Sequence, residues 1–476
     1  MPTAVSQGSP DLKQPLWGAA RAYWLLFALA ALSFLVTLPV NYVGEEAIWT
    51  VTSYEMWFHG QYTAPITFGS HAIYWRPPFY NLAIIPVAQL TGWNHVLAAA
   101  RLVTMAATLL SALLLAWFVK KLTGDRVFAA FSALVYLTLG DVFFYGGWLC
   151  YPSQFFTLFA LGAMVFGWLA LENESYTYLA AALLAADAAF FGKALTAYVF
   201  YGATMLVIAY RNRRWNFLFS RLSILLHEMA LIVPVLWYLL APSGGVQSRG
   251  MVADITDKLA SQGGWNYLKH LVRYPLQTME QLMPFAAVVI FAIMSRRKLG
   301  QWRKRPYIVT ALLVLLVNYL PYWLPPQSGM RYIMPLFPFA AMVMAFLVFY
   351  GEPKVRRWGV GVIVFVIAVK FALGIWGFPF FEKRFRGVKA VARDIVRVAG
   401  RDNLYTRDVA ASGFTLAAHI DRQLYPNAPI TLPPKDFSDG YVISYAPDPD
   451  TGNVYKKYRV GNDDVYLLCR GAACKR

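Results

Sequence analysis

Charge is scarce in this chain. Of its 476 residues only 14% are Asp, Glu, Lys or Arg, against roughly 25% in soluble domains. So few charges cannot cover the surface of a soluble protein this long, and with 58% hydrophobic residues the chain reads as a polytopic membrane protein. Cysteine is scarcer still: three residues exclude a disulfide framework, and only Cys469 and Cys474 are close in sequence. Whether those two pair or stay as thiols is open at this level, while Cys150 lies apart near an apolar segment. His59 and His71 are too isolated to make a metal site. No metal ligand set is assigned and no cofactor is required, with a divalent ion, Mg or Mn, left open. There is no nucleotide-binding motif and no internal repeat of the kind that builds inverted-repeat transporters. The net charge of +18 would suggest nucleic acid in a soluble protein; here basic loops facing anionic lipid account for it, and no nucleic-acid partner is expected.

About 20 apolar residues span a bilayer as a helix. On that rule eleven transmembrane helices are expected, near 22–42, 102–119, 127–140, 153–171, 175–191, 194–210, 222–241, 275–294, 307–323, 332–350 and 358–379. The first apolar run is too long for a signal-peptide core and is read as a retained helix, after a short cytoplasmic tail, 1–21. With that tail inside, eighteen Lys and Arg fall on inner segments and eight on outer loops between spans. The asymmetry favours this orientation. It places the first long loop, 43–101, and the C-terminal segment outside the cytoplasm.

From residue 382 the composition becomes that of a soluble domain, expected to be a small extracytoplasmic α/β unit over 382–476. Residues 383–398 carry apolar side chains at helical spacing, and β-like runs follow at 404–409, 441–445, 454–460 and 465–469, the last two flanking a Gly-Asn-Asp-Asp turn.

The candidate chemistry collects on the outer side. Glu45 and Glu46 stand where the first span leaves the membrane, and an aromatic, amphipathic stretch, Trp49 to Gln61, follows as expected for a juxtamembrane helix. A carboxylate at such a boundary is either a solvated helix end or a base whose pKa partial desolvation raises. Arg76 follows Tyr74 and Trp75 and precedes Pro77-Pro78; it is either an interfacial arginine reaching for headgroups or a phosphate ligand held by a stiff turn. Lys193, after Gly192, and Arg331, before Tyr332, share that ambiguity at two other outer helix ends. Convergence of the three cations on one lipid phosphate is the simplest joint reading, with Tyr74, Tyr332 and Asp141 as the expected neighbours of the substrate. Asp141 is weighed against a loop-cap role. Asp187 is a candidate partner for Lys193, and His227 and Glu228 read as structural.

Taken in order, these motifs resemble the bacterial branch of the GT-C glycosyltransferases, the group with lipid A aminoarabinose transferases and protein O-mannosyltransferase-like enzymes. Glu45-Glu46 falls on that group's acidic pair, Glu55-Met56 on its Glu-Met pair, Arg76-Pro77-Pro78 on its Lys-Pro-Pro element, and Gly192-Lys193 and Arg331-Tyr332 with Pro335 and Pro338 on two later elements. The similarity covers about the first 350 residues. It implies an integral-membrane enzyme of the bacterial inner membrane. The expected reaction is inverting transfer of a sugar from a polyprenyl-phosphate donor to an envelope lipid, glycan or protein, with Glu45 or Glu46 as base and Arg76, Lys193 and Arg331 on the phosphate. Three departures stand out: glutamate rather than aspartate at 45, Ile48 where an arginine is frequent, and Tyr151 where many members carry an acid. The rival expectation is a transporter or flippase of a lipid-linked sugar, which would need polar residues through the membrane depth.

Overall fold

The computed structural model of the chain describes residues 16–70, 77–240, 264–326, 328–380, 386–400, 403–407, 411–461 and 463–475. Helices dominate. In chain order they are α1 (Leu16–Leu35), α2 (Glu46–Phe58), α3 (Phe79–Thr91), α4 (Val96–Thr123), α5 (Arg126–Leu137), α6 (Pro152–Asn173), α7 (Tyr176–Lys193), α8 (Thr196–Asn212) and α9 (Arg221–Leu240). They continue with α10 (Gly264–Gln281), α11 (Phe285–Met294), α12 (Pro306–Trp323), α13 (Phe337–Phe349), α14 (Pro353–Ala372), α15 (Arg386–Ala399) and α16 (Ala411–Leu424). Four strands, β1 (Leu404–Thr406), β2 (Gly440–Ser444), β3 (Asn453–Val460) and β4 (Asp463–Arg470), form one sheet.

Local chemistry sets the boundaries. The long apolar run of α4 ends at Lys120-Lys121 and at Gly124, whose φ of +71° is open to glycine, and Asp125 then caps α5 by accepting from Val127 and Phe128 N–H. Helices lie in all eleven predicted stretches. Among the described residues, however, only five helical stretches are long and apolar enough to cross a membrane, or six if the bent pair α10–α11 counts as one. Shorter apolar helices occupy several of the other predicted stretches, and every residue of α5 from Val127 to Leu137 is buried among its neighbours. The predicted span 275–294 is broken. Its two parts, α10 and α11, meet at 106°, where Pro284 caps α11 and Gly140 N–H donates to Met283 C=O. A side chain at Gly140 would lie 2.7 Å from that carbonyl oxygen, so only glycine permits the contact.

The first loop is also shorter and more ordered than expected. α4 starts at Val96, which moves Arg101 from the outer loop into a buried helix. α2, expected to lie on the membrane surface, is buried on most sides from Glu46 to Met56. Its covering comes from α3 on one side and from α16 on the other.

The C-terminal unit holds the sheet in the order β1-β2-β4-β3, with β1 parallel to β2 and the other pairs antiparallel. Cys469 and Cys474 are joined by a disulfide. Its core is not separate. Ala47, Ile48, Val51 and Phe68 of the first loop share one apolar cluster with Val391, Ile395, Phe414, Ile420 and Leu467, and Phe68 stacks on Phe414.

Candidate active site

The chain leaves α1 through a turn that needs Gly44. Its φ is +59°, and an added Cβ would sit 2.5 Å from the Tyr151 hydroxyl. That hydroxyl accepts from Glu45 N–H (3.0 Å) and donates to Val43 C=O (3.2 Å), so Tyr151 clamps both ends of the turn. The position where an acid is frequent in the resembling group therefore carries a neutral brace here.

The two adjacent glutamates face different surroundings. Glu46 opens α2 and is fully buried. Its Oε1 accepts from Arg101 Nε and Cys150 N–H, both 2.9 Å; its Oε2 accepts from Arg101 Nη2 (2.5 Å) and Val43 N–H (2.8 Å). Arg101, also fully buried, spends its remaining N–H groups on the carbonyls of Thr37, Val40 and Asn41, and lies 5.0 Å over the Trp148 ring. Every lone pair and donor of this ion pair is used, which is what lets it persist without water. Nothing is left on Glu46 to take a proton from a substrate. Glu45 has the opposite setting: its Oε2 lies 2.9 Å from Arg331 Nη1, and both side chains are 46% exposed.

Arg331 is itself held. Its guanidinium stacks over Tyr151 at 4.8 Å, and its carbonyl accepts from Lys193 Nζ (3.3 Å), which also donates to Ser153 Oγ (2.9 Å). Lys193 is buried beneath Arg331, between the rings of Phe156 and Tyr332. Two of the three predicted cations thus meet, with Tyr332 beside them. Arg76, Tyr74 and His71 lie outside the described residues. Pro77, the residue after Arg76, lines a small cavity with Pro152 and Gly192, the neighbours of Ser153 and Lys193.

Asp141 borders the same region. Its side chain does not cap the helical turn that follows, which removes the loop-cap reading. Burial pushes its carboxyl up to about 6, against the opposing pull of Arg331. It lines an open groove of about 300 Å³ with Gln277, Glu280, Gln281 and Met330. Asp187 instead accepts from the Tyr198 hydroxyl at 2.7 Å, and His227 bonds Tyr201 and the Ser223 carbonyl. Glu55 is away from Arg331. It is buried and accepts from Phe68 and Gly69 N–H at 2.6 and 2.8 Å, and burial pushes it up to about 7 in spite of those two bonds. Among the described residues no three His, Cys, Asp or Glu side chains gather as a metal-holding group.

Arg101 is the residue that sequence reasoning missed, since it was counted as an outer-loop charge. The signal was present in Val96-Leu97-Ala98-Ala99-Ala100, which extends the helix upstream. A charge inside such a helix needs a buried partner.

No family model matches the sequence, so classification rests on the fold. Apolar helices, an acidic and basic cluster at their ends, and a small C-terminal sheet make up a fold that is shared with solved structures. The particular likeness is to ArnT from Cupriavidus metallidurans. Its apo crystal structure matches with a TM-score of 0.71 at 15% identity, over 96% of this chain and 99% of that one. The crystal structure of the same protein bound to undecaprenyl phosphate matches at 0.68 and 16%, again over 96% and 99%. At these identities the likeness is one of fold.

Proposed function

We propose that this chain is an inverting glycosyltransferase of a bacterial inner membrane, moving a sugar from a polyprenyl-phosphate donor to a hydroxyl on an envelope lipid, glycan or protein at the outer face. The observation that carries the reading is the half-exposed Glu45–Arg331 pair, set on a fold shared with an ArnT that was crystallised with undecaprenyl phosphate. A carboxylate and a guanidinium lie side by side, and sugar transfer from a lipid phosphate calls for a base and a cation so arranged.

In this reading the donor phosphate competes with Glu45 for Arg331. Glu45, released, accepts the proton of the acceptor hydroxyl. The acceptor oxygen forms a bond to the anomeric carbon from the face opposite the phosphate, the bond from that carbon to the phosphate oxygen breaks, and the electron pair leaves with the polyprenyl phosphate. Arg331, with Arg76 from the loop that carries Glu45, stabilises that charge. Lys193 adds its field from below and fixes the Arg331 backbone. Glu46 holds the loop through Arg101 rather than acting on substrate. Tyr332 and Asp141 border the sugar or acceptor, and the C-terminal unit, 382–476, lies outside the cytoplasm.

The test is reconstitution. Purified protein is given a panel of polyprenyl-phosphate sugars and extracted envelope lipids, and wild type is compared with Glu45→Gln and Glu46→Gln. Transfer with inverted anomeric configuration, lost in Glu45→Gln, supports the mechanism. Transfer unaffected in both variants removes it, and lipid translocation without transfer assigns the chain to the flippases.

A further inference from the structure

The connector between α11 and α12, residues 295–305, holds six of the chain's cations at the end of the bundle away from Arg331. α13 begins six residues after Arg331 and ends beside this connector, so about 20 Å of helix separates the two regions. The connector is a built element and not a loose loop. Gly300 N–H donates to Leu347 C=O at 3.0 Å, and Glu352 N–H to Lys298 C=O at 2.9 Å. Side chains at Gly300 or Gly351 would stand 2.8 Å from the Phe346 or Leu347 carbonyl oxygens, so both glycines permit a close approach of backbones.

Two adjoining open grooves, of about 530 and 450 Å³, run along it and share Leu299, Gln301 and Lys304. Their cations are Lys298, Arg303, Lys304 and Arg305, all exposed. Among the described residues no carboxylate is ion-paired to Arg303, Lys304 or Arg305. The one acid lining the grooves, Glu352, is engaged by Lys298 N–H (3.0 Å) and Arg297 (3.4 Å). The first groove has an apolar wall of Ile293 and Leu347, and Ile293 and Met294 continue it as exposed helix surface, 60% and 75% exposed. Trp302 lines the first groove, with Arg303 5.4 Å over its ring.

We propose that these grooves bind the headgroup of an anionic glycerophospholipid of the inner leaflet, its acyl chains lying along α11. The chemistry selects that ligand. Several cations grouped in a cleft at a helix end match a phosphate in the headgroup layer, an indole at the same depth suits the interface, and the adjoining apolar flank excludes a soluble anion as the fitting partner. The inference is independent of the sugar-transfer reading.

The experiment uses the full chain, stripped of lipid in detergent and rebound with dioleoyl phosphatidylglycerol or dioleoyl phosphatidylcholine, with retained lipid counted by native mass spectrometry. Wild type should retain phosphatidylglycerol in preference to phosphatidylcholine, and an excess of inorganic phosphate should leave it bound. Lys304→Gln with Arg305→Gln should weaken retention about thirtyfold, from about a factor of five for each cation near an anionic surface. The control pair Lys354→Gln with Arg357→Gln removes two cations of the same membrane side that do not line the grooves, and should change it little. Equal retention of the two lipids by wild type, which needs no variant to fold, overturns the proposal. So does displacement by phosphate, or an equal loss in the control pair.

Discussion

Arg331 Nη1 stands 2.9 Å from Glu45 Oε2, across 286 positions of sequence, while Glu46, the next residue, is turned inward to Arg101. Adjacent residues at a helix start point about 100° apart. That rotation separates a half-exposed carboxylate from a buried one that belongs to the framework.

Glu45→Gln keeps the shape of the side chain and removes its basicity. The rate of the chemical step in single turnover is expected to fall about 10²- to 10⁴-fold, the range for loss of a general base. Donor binding should tighten, because the carboxylate that competes for Arg331 is gone. Weakened donor binding in a titration would argue that Glu45 contacts the donor directly.

Arg331→Gln removes the half-exposed cation of the pair. A charged hydrogen bond to phosphate is worth about 1.5–3 kcal/mol, so the donor KM should rise about ten- to hundredfold with the acceptor KM little changed. Steady-state kinetics with each substrate varied decides this. A shift confined to the acceptor KM would move Arg331 to the acceptor side.

Glu46→Gln should act on stability. Removing one partner of a buried ion pair costs about 3–5 kcal/mol, because the other charge is left unpaired. Thermal unfolding in detergent should show a large drop for Glu46→Gln or Arg101→Met alone and a smaller one for Glu46→Met combined with Arg101→Met. Single variants that melt like wild type would deny the pair its structural role.

Glu55 makes the junction of first loop and C-terminal unit sensitive to pH. Burial raises its pKa from 4.5 to about 7, so between those values the folded chain holds a proton that the unfolded chain has released. Its contribution is present below pH 4.5 and is lost as pH rises through about 7. Asp421, raised by burial and by nearby Glu55, works in the same sense. His419, lowered to about 3 chiefly by burial, works in the other, gaining stability as pH rises toward 6.5. Comparison with Glu55→Gln at each pH isolates the one group. Wild type should lose on the order of 3 kcal/mol relative to the variant across the window, read as melting temperature or as hydrogen exchange at Phe68 and Gly69. A constant difference would mean that Glu55 stays ionised throughout.

Much of the helical layout was legible. Apolar runs and their stops located helices close to their observed positions, and alternation with a Gly-Asn-Asp-Asp turn located the β3–β4 hairpin. Two failures share a cause. α2 was read as a surface helix because its polar residues suggested a free face, yet Thr52 and Glu55 spend their polar groups on Thr67, Phe68 and Gly69 within the fold. α16, absent from the sequence reading, is placed by packing on α2. Both depend on a partner far away in the chain, which periodicity does not report.

By itself the sequence determined that the protein is a helical membrane protein, because apolar length and charge scarcity act locally and leave no soluble alternative. It also named both carboxylates, and Lys193 and Arg331 among the cations. Only the tertiary structure set a half-exposed Glu45 apart from a buried Glu46, buried Lys193 beneath Arg331, made Tyr151 the clamp of the Gly44 turn, and joined the C-terminal unit to the first loop through a common core. Each of those outcomes rests on which surfaces meet, and burial, not residue type, determines whether a carboxylate is locked into the framework or left open to solvent.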